Sequence, residues 1–101
     1  MNKMRRKELR DLAQDVLKSI DKDDIQDCID TLENLKDEES EYYDYIPENL
    51  KNSNRAYASE EAIEYMDSAL DKLSIAHDLE DEKKVKKLLE EAYDDIQNAA
   101  F

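Results

Sequence analysis

Tyr45-Ile46-Pro47-Glu48-Asn49-Leu50-Lys51-Asn52-Ser53-Asn54-Arg55-Ala56 divides the chain into two halves that both read as helix. The ring of Pro47 clashes with a helical residue before it, so Ile46 is pushed to extended backbone. Asn49, Asn52, Ser53 and Asn54 hydrogen-bond to nearby backbone and favour turns over helix interiors. Residues 46–56 are therefore expected to form a loop. On both sides of it apolar residues recur at spacings of three and four, the pattern of an amphipathic helix.

Four such segments are expected. The first covers about 3–20, with Leu9, Leu12, Ala13, Val16, Leu17 and Ile20 on its stripe. The second covers about 23–44, with Ile25, Cys28, Ile29, Leu32, Leu35 and Tyr42. The third, about 57–77, uses Ala62, Ile63, Met66, Ala69, Leu70, Leu73 and Ala76. The fourth, about 81–99, uses Val85, Leu88, Leu89, Ala92, Ile96 and Ala99. Asp21-x-x-Asp24 and Asp78-x-x-Asp81 each offer one carboxylate as a helix N-cap and a second within the first turn, where the helix dipole favours it. Were each half a single rod, Asp23 or Asp24 and Glu80 or Asp81 would fall on the apolar seam, and unpaired carboxylates are costly there. The expected fold is all-α, an antiparallel four-helix up-down bundle in one domain, 1–101. The alternative is a long two-arm helical hairpin that dimerises, since neither break contains Gly or Pro.

Composition agrees with this fold. The chain has no Gly, one Pro and 43% charged residues, yet its 40% hydrophobic content is periodic, so a folded helical domain is expected rather than disorder. No apolar stretch approaches the roughly 20 residues that span a bilayer. The basic start has no apolar segment after it and so does not read as a secretory signal. The single cysteine, Cys28, lies beside Ile25, Ile29 and Leu32 and is expected to be a buried free thiol. A cytoplasmic location is the expectation.

Charge is uneven. Residues 1–10 hold five cations against one acid, a net of +4, so the other 91 residues carry −17 of the total of −13. An acidic body repels phosphate backbones, which argues against direct DNA or RNA binding. Two surfaces could still bind a partner. At the basic end, Lys3, Arg5, Arg6 and Lys7 supply donors suited to an anion. An up-down bundle brings the loop beside them, adding Ser53 and Arg55, with Tyr45 and Tyr57 as rings for stacking. The other surface is acidic. Asp37, Glu38, Glu39 and Glu41, with Glu60, Glu61 and Glu64, could imitate phosphates and occupy a basic groove on a protein.

Enzymatic motifs are lacking. Without Gly there is no phosphate loop, dinucleotide fingerprint or nucleophile elbow. One His and one Cys do not make a zinc site, and His77 has Ser74 where a di-iron motif needs Glu. No catalytic residue, metal or cofactor is expected.

Met1-Asn2-Lys3-x-Arg5-Arg6-Lys7, followed by Tyr45-Ile46-Pro47-Glu48-Asn49-Leu50-x-x-Ser53-x-Arg55 and then a helix carrying Ala62, Ala69, Leu70 and Leu73, resembles a group of small acidic helical proteins. These belong to phages and prophages of low-GC Gram-positive bacteria. The resemblance covers residues 1–76 and implies a phage accessory protein, for which counter-defence is one role. The expected function is then sequestration of a small anionic, nucleotide-like host signal at the basic end. One alternative is an acidic surface that blocks a basic host protein such as a defence nuclease. A second is a structural or assembly helper of the phage. A homo-oligomer is expected, because stripes this narrow leave apolar edges uncovered.

Overall fold

Each helix begins at a side-chain oxygen that takes up an otherwise unpaired backbone N–H. The computed structural model describes residues 1–100 and contains α1 (Lys3–Leu17), α2 (Lys22–Asp44), α3 (Asn54–Asp78) and α4 (Glu82–Ala100). Asn2 caps α1, its Oδ1 accepting from the Arg5 N–H at 2.8 Å. Asp21 caps α2 by accepting from the Asp24 N–H at 2.9 Å, and Asp24 Oδ2 accepts in return from the Ile20 N–H at 3.0 Å. Ser53 caps α3 through Ala56. Asp81 stands before α4 and accepts from the Lys83 and Lys84 N–H groups at 3.0 and 3.2 Å. No described residue has positive φ and no described peptide bond is cis, so these reversals are made with ordinary backbone.

The helices form an antiparallel ring in which α1 packs on α2, α2 on α3, α3 on α4, and α4 back on α1. Cross-helix partners give the register: Arg5 with Glu39, Lys36 with Asp67, Lys72 with Asp95, and Gln14 with Tyr93. The protein is thus the all-α four-helix bundle, with four separate helices, and measures 48 × 20 × 18 Å. Its buried residues keep helical spacing: Leu9, Leu12, Ala13 and Val16 on α1, then Ile25, Cys28, Ile29, Leu32 and Leu35 on α2. Ala62, Ala69 and Ala76 recur every seven residues on α3, facing a core that includes Ala92, Ala99 and Ala100 of α4. Small side chains let these two backbones approach closely, while Met66, Leu73, Leu89 and Ile96 fill the space between the layers. Nineteen buried residues belong to this one cluster, and none of the described buried side-chain polar atoms lacks a hydrogen-bond partner.

Two boundaries differ from expectation by more than one residue. Helix α1 stops at Leu17 rather than near residue 20, because Lys18 and Ser19 donate back into its last turn and Asp24 draws the Ile20 N–H away. Ile20 therefore leaves the apolar stripe and is 92% exposed. Helix α3 begins at Asn54, not near residue 57, because Ser53 caps it instead of continuing a turn. The loop expected at 46–56 is shortened accordingly and contains a single 3-10 turn, Glu48–Leu50, that follows Pro47. Phe101, the last residue of the expected domain, lies outside the described residues.

Candidate functional site

Helices α2 and α3, of 23 and 25 residues, are longer than α1 and α4, of 15 and 19, and the connection between the two long arms closes one end of the bundle. At that end a carboxylate sits in the core. Glu39 follows Leu35 at a spacing of four on the inner face of α2 and is 0% exposed. The Arg5 Nε lies 3.0 Å from its Oε1, the Ser59 hydroxyl donates to Oε2 at 2.6 Å, and the α-amino group of Met1 stands 3.4 Å from the same oxygen. Two cations and a hydroxyl thus satisfy a carboxylate that would be prohibitively placed without them.

The Arg5 guanidinium carbon is also 5.7 Å from the centroid of the Tyr42 ring, within cation–π range. Tyr42 also lines a cleft of about 340 Å³ together with Tyr45, Ile46, Pro47, Leu50, Ser53 and Arg55. Tyr45 is 85% exposed, standing at the mouth, while Ile46 is buried. Beside the cleft, the Lys51 ammonium lies 3.8 Å from the Tyr43 ring centroid and donates to the Tyr43 carbonyl at 2.6 Å, tying the loop to the end of α2. Tyr43 donates its phenol proton to Glu60, which pushes the phenol above its ordinary range because that bond holds the neutral form.

The residues singled out for anion binding are only partly united. Tyr45, Ser53 and Arg55 line one cleft. Ser53 Oγ is engaged as the cap of α3, accepting from Ala56 at 3.2 Å. Arg5, 12% exposed at its side chain, is taken up by Glu39, a correction to its expected place among free cations. Lys7 pairs with Asp11 at 3.3 Å along α1. Lys3 and Arg6 are exposed on the first turn of α1, and Tyr57 is exposed on α3, but none of these three lines the cleft. Tyr42, Ile46, Pro47 and Leu50 complete the lining, the last three being the Ile-Pro-x-x-Leu run that marks the loop in the sequence.

The acidic set also divides. Asp37, Glu38 and Glu41 on α2 and Glu60, Glu61 and Glu64 on α3 are exposed. Glu39 does not belong with them, because its side chain turns inward to Arg5 and Ser59. One signal could have separated it: Glu39 continues the spacing of Ile25, Ile29, Leu32 and Leu35, whereas its acidic neighbours do not.

Other reactive side chains sit in ordinary surroundings. Cys28 is buried against α1, with its Sγ 3.8 Å from Ser19 Oγ, and burial raises its thiol above the ordinary 9.0, helped by the nearby Asp15, Asp24 and Asp27. That suppresses thiolate, the nucleophilic form. His77 closes α3 with its Nδ1 3.2 Å from Asp78. Among the described residues no group of His, Cys, Asp and Glu is arranged to hold a metal ion, and no helix is long and apolar enough to cross a membrane. No protein-family model, curated protein or solved structure matches the chain.

Proposed function

We propose that this is a non-enzymatic binding protein that holds a small nucleotide-like ligand, one flat ring joined to a single anionic group, in the cleft at the loop end. One observation carries the reading: Tyr42, Tyr45, Ser53 and Arg55, drawn from both sides of the loop, line one cleft together with Ile46, Pro47 and Leu50. A tyrosine wall suits a planar ring, and the Arg55 guanidinium suits a phosphate or carboxylate. A volume of about 340 Å³ falls in the lower part of the range of small-molecule sites. Arg5 does not line the cleft: compensated by Glu39, it contributes by holding Tyr42 in position. A protein that only holds such a molecule acts by lowering its free concentration. The resemblance to phage proteins favours using that to blunt a host signal.

Thermal-shift titration with cyclic and linear mononucleotides tests the idea. A ligand at a hundred times its Kd stabilises by about 2.7 kcal/mol, which raises the Tm by roughly 10 °C or more in a domain of this size. Arg55→Ala and Tyr45→Ala should each remove the shift while leaving helix content unchanged. Absence of a shift with every nucleotide rules out the reading.

A second reading rests on Asp37, Glu38, Glu41, Glu61 and Glu64, all exposed and none ion-paired among the described residues. They present a negative surface that could occupy a basic groove on a partner protein. The combined variant Asp37→Asn, Glu38→Gln, Glu41→Gln should abolish inhibition of such a partner and leave nucleotide binding intact, the reverse of Arg55→Ala.

A further inference from the structure

At the opposite end of the bundle one helix is too short for its neighbour. Gln14 of α1 meets Tyr93 of α4 at 3.4 Å, and the two helices run antiparallel, so Leu17 lies near the level of Glu90. Helix α4 continues toward Glu82 for about eight more residues, roughly 12 Å, with no α1 beside it. The place that a longer α1 would fill is an open groove of about 550 Å³. Leu17, Ile20, Ile25, Leu79, Val85 and Leu89 supply its apolar lining. Leu17 is about half exposed, and Ile20 is almost fully so, although aliphatic side chains of that size are usually covered.

The groove has a charged rim. Asp21, Glu80, Glu82 and Glu90 line it against Lys22 and Lys86. Lys22 is already paired with Glu80 at 2.9 Å, which leaves three carboxylates against one ammonium, a net of −2. Lys83, Lys84 and Lys87 follow on α4 but do not line the groove. A second copy of the chain would bring the same negative rim on a body of net charge −13, so charge opposes self-filling.

We infer that this groove is a docking surface for a basic amphipathic helix of another protein, which would lie beside α4 in the position that α1 vacates. Such a helix would seat apolar anchors at positions i, i+3, i+4 and i+7 against Val85, Leu89 and Ile20, and its flanking lysines or arginines would meet Asp21, Glu82 and Glu90. The surface lies at the end of the bundle remote from the tyrosine cleft, so each can act without the other.

Three labelled helical peptides test the inference by fluorescence anisotropy at about 0.15 M salt, where exposed charges act only over roughly 8 Å. One has leucines at the anchor positions and lysine flanks, one has the same leucines with glutamate flanks, and one keeps the lysines but replaces the leucines by glutamine. Only the leucine–lysine peptide should bind. Ile20→Ser should weaken it about tenfold or more, the loss expected when a large aliphatic anchor no longer becomes buried. Glu82→Gln with Glu90→Gln should weaken it several-fold, whereas Glu33→Gln, exposed on α2 away from the groove, should leave it unchanged. Equal binding of the glutamine–lysine peptide, or indifference to Ile20→Ser, overturns the proposal by reducing the contact to non-specific charge. A dimer in sedimentation equilibrium that Ile20→Ser dissociates also overturns it, by making a second copy the occupant.

Discussion

The two ends of this bundle are closed by opposite means. The loop end buries charge: Glu39, Arg5, Ser59 and the Met1 amino group form one compensated cluster beneath the tyrosine cleft. The turn end buries none, is held by two Asp caps on short reversals, and leaves aliphatic side chains in the open. Polar groups in a core demand particular partners at particular distances, whereas apolar surface accepts any shape that excludes water. The first end is therefore specified internally, and the second leaves apolar surface uncovered.

The largest expected effect breaks the specified end. Glu39→Ala leaves the Arg5 guanidinium and the amino group without a countercharge in a largely dry site, and removal of one member of a buried pair typically costs about 3–5 kcal/mol. Calorimetry should show a Tm lowered by roughly 15 °C or more. A fall of only a few degrees would mean that water reaches Arg5 and replaces the carboxylate.

At the other end Asp21→Ala and Asp81→Ala should each cost about 1 kcal/mol, the usual value of an N-cap. Asp21 should be the more sensitive of the two, because Asp24 closes a reciprocal pair around the same reversal. Denaturant midpoints would compare them directly, and a loss at either cap as large as that of Glu39→Ala would erase the contrast between the ends.

Cys28 gives a smaller effect with a definite sign. Its thiol is raised in the folded state, so an unfolded chain releases the proton first as pH climbs. Stability should be indifferent to this group below the ordinary value of 9.0, then decline above it until the folded thiol ionises too. Cys28→Ala should remove that alkaline slope in urea titrations, and the wild-type thiol should react with disulfide reagents far faster in denaturant than when folded. The smallest effect is expected at Ile20. Since it is solvated in the free protein, Ile20→Ser should change the Tm hardly at all, within the ±0.5 kcal/mol typical of exposed sites. A marked destabilisation would show that Ile20 already packs against its own chain.

The helices and their order were legible because period and punctuation agree. Apolar spacing marked every segment, Pro47 marked the central break, and Asp21-x-x-Asp24 marked a cap that is present. The end of α1 was not legible. Ile20 fits the stripe by position, and it is taken out by Lys18 and Ser19 closing the helix and by a hydrogen bond from its N–H to Asp24, four residues ahead. Ser53 suits a turn, but the same residue types also begin helices, and what separates the two is whether the following N–H groups face its oxygen. Glu39 was hidden by its neighbours: in a run of acids the eye averages charge, while the helix distributes successive side chains about 100° apart. For the cleft, Tyr45, Ser53 and Arg55 could be grouped from topology, but the compensation of Arg5 needs a long-range partner that no local pattern reveals.

The reversals at both ends use only ordinary backbone angles, with no described residue at positive φ. Positions that demand glycine can change only at a penalty, and there is no glycine in this chain to protect. At the caps themselves Ser, Thr, Asn and Asp can replace one another with little loss. Exchange among those cap residues therefore leaves the course of the connecting segments, and with it the bundle, in place.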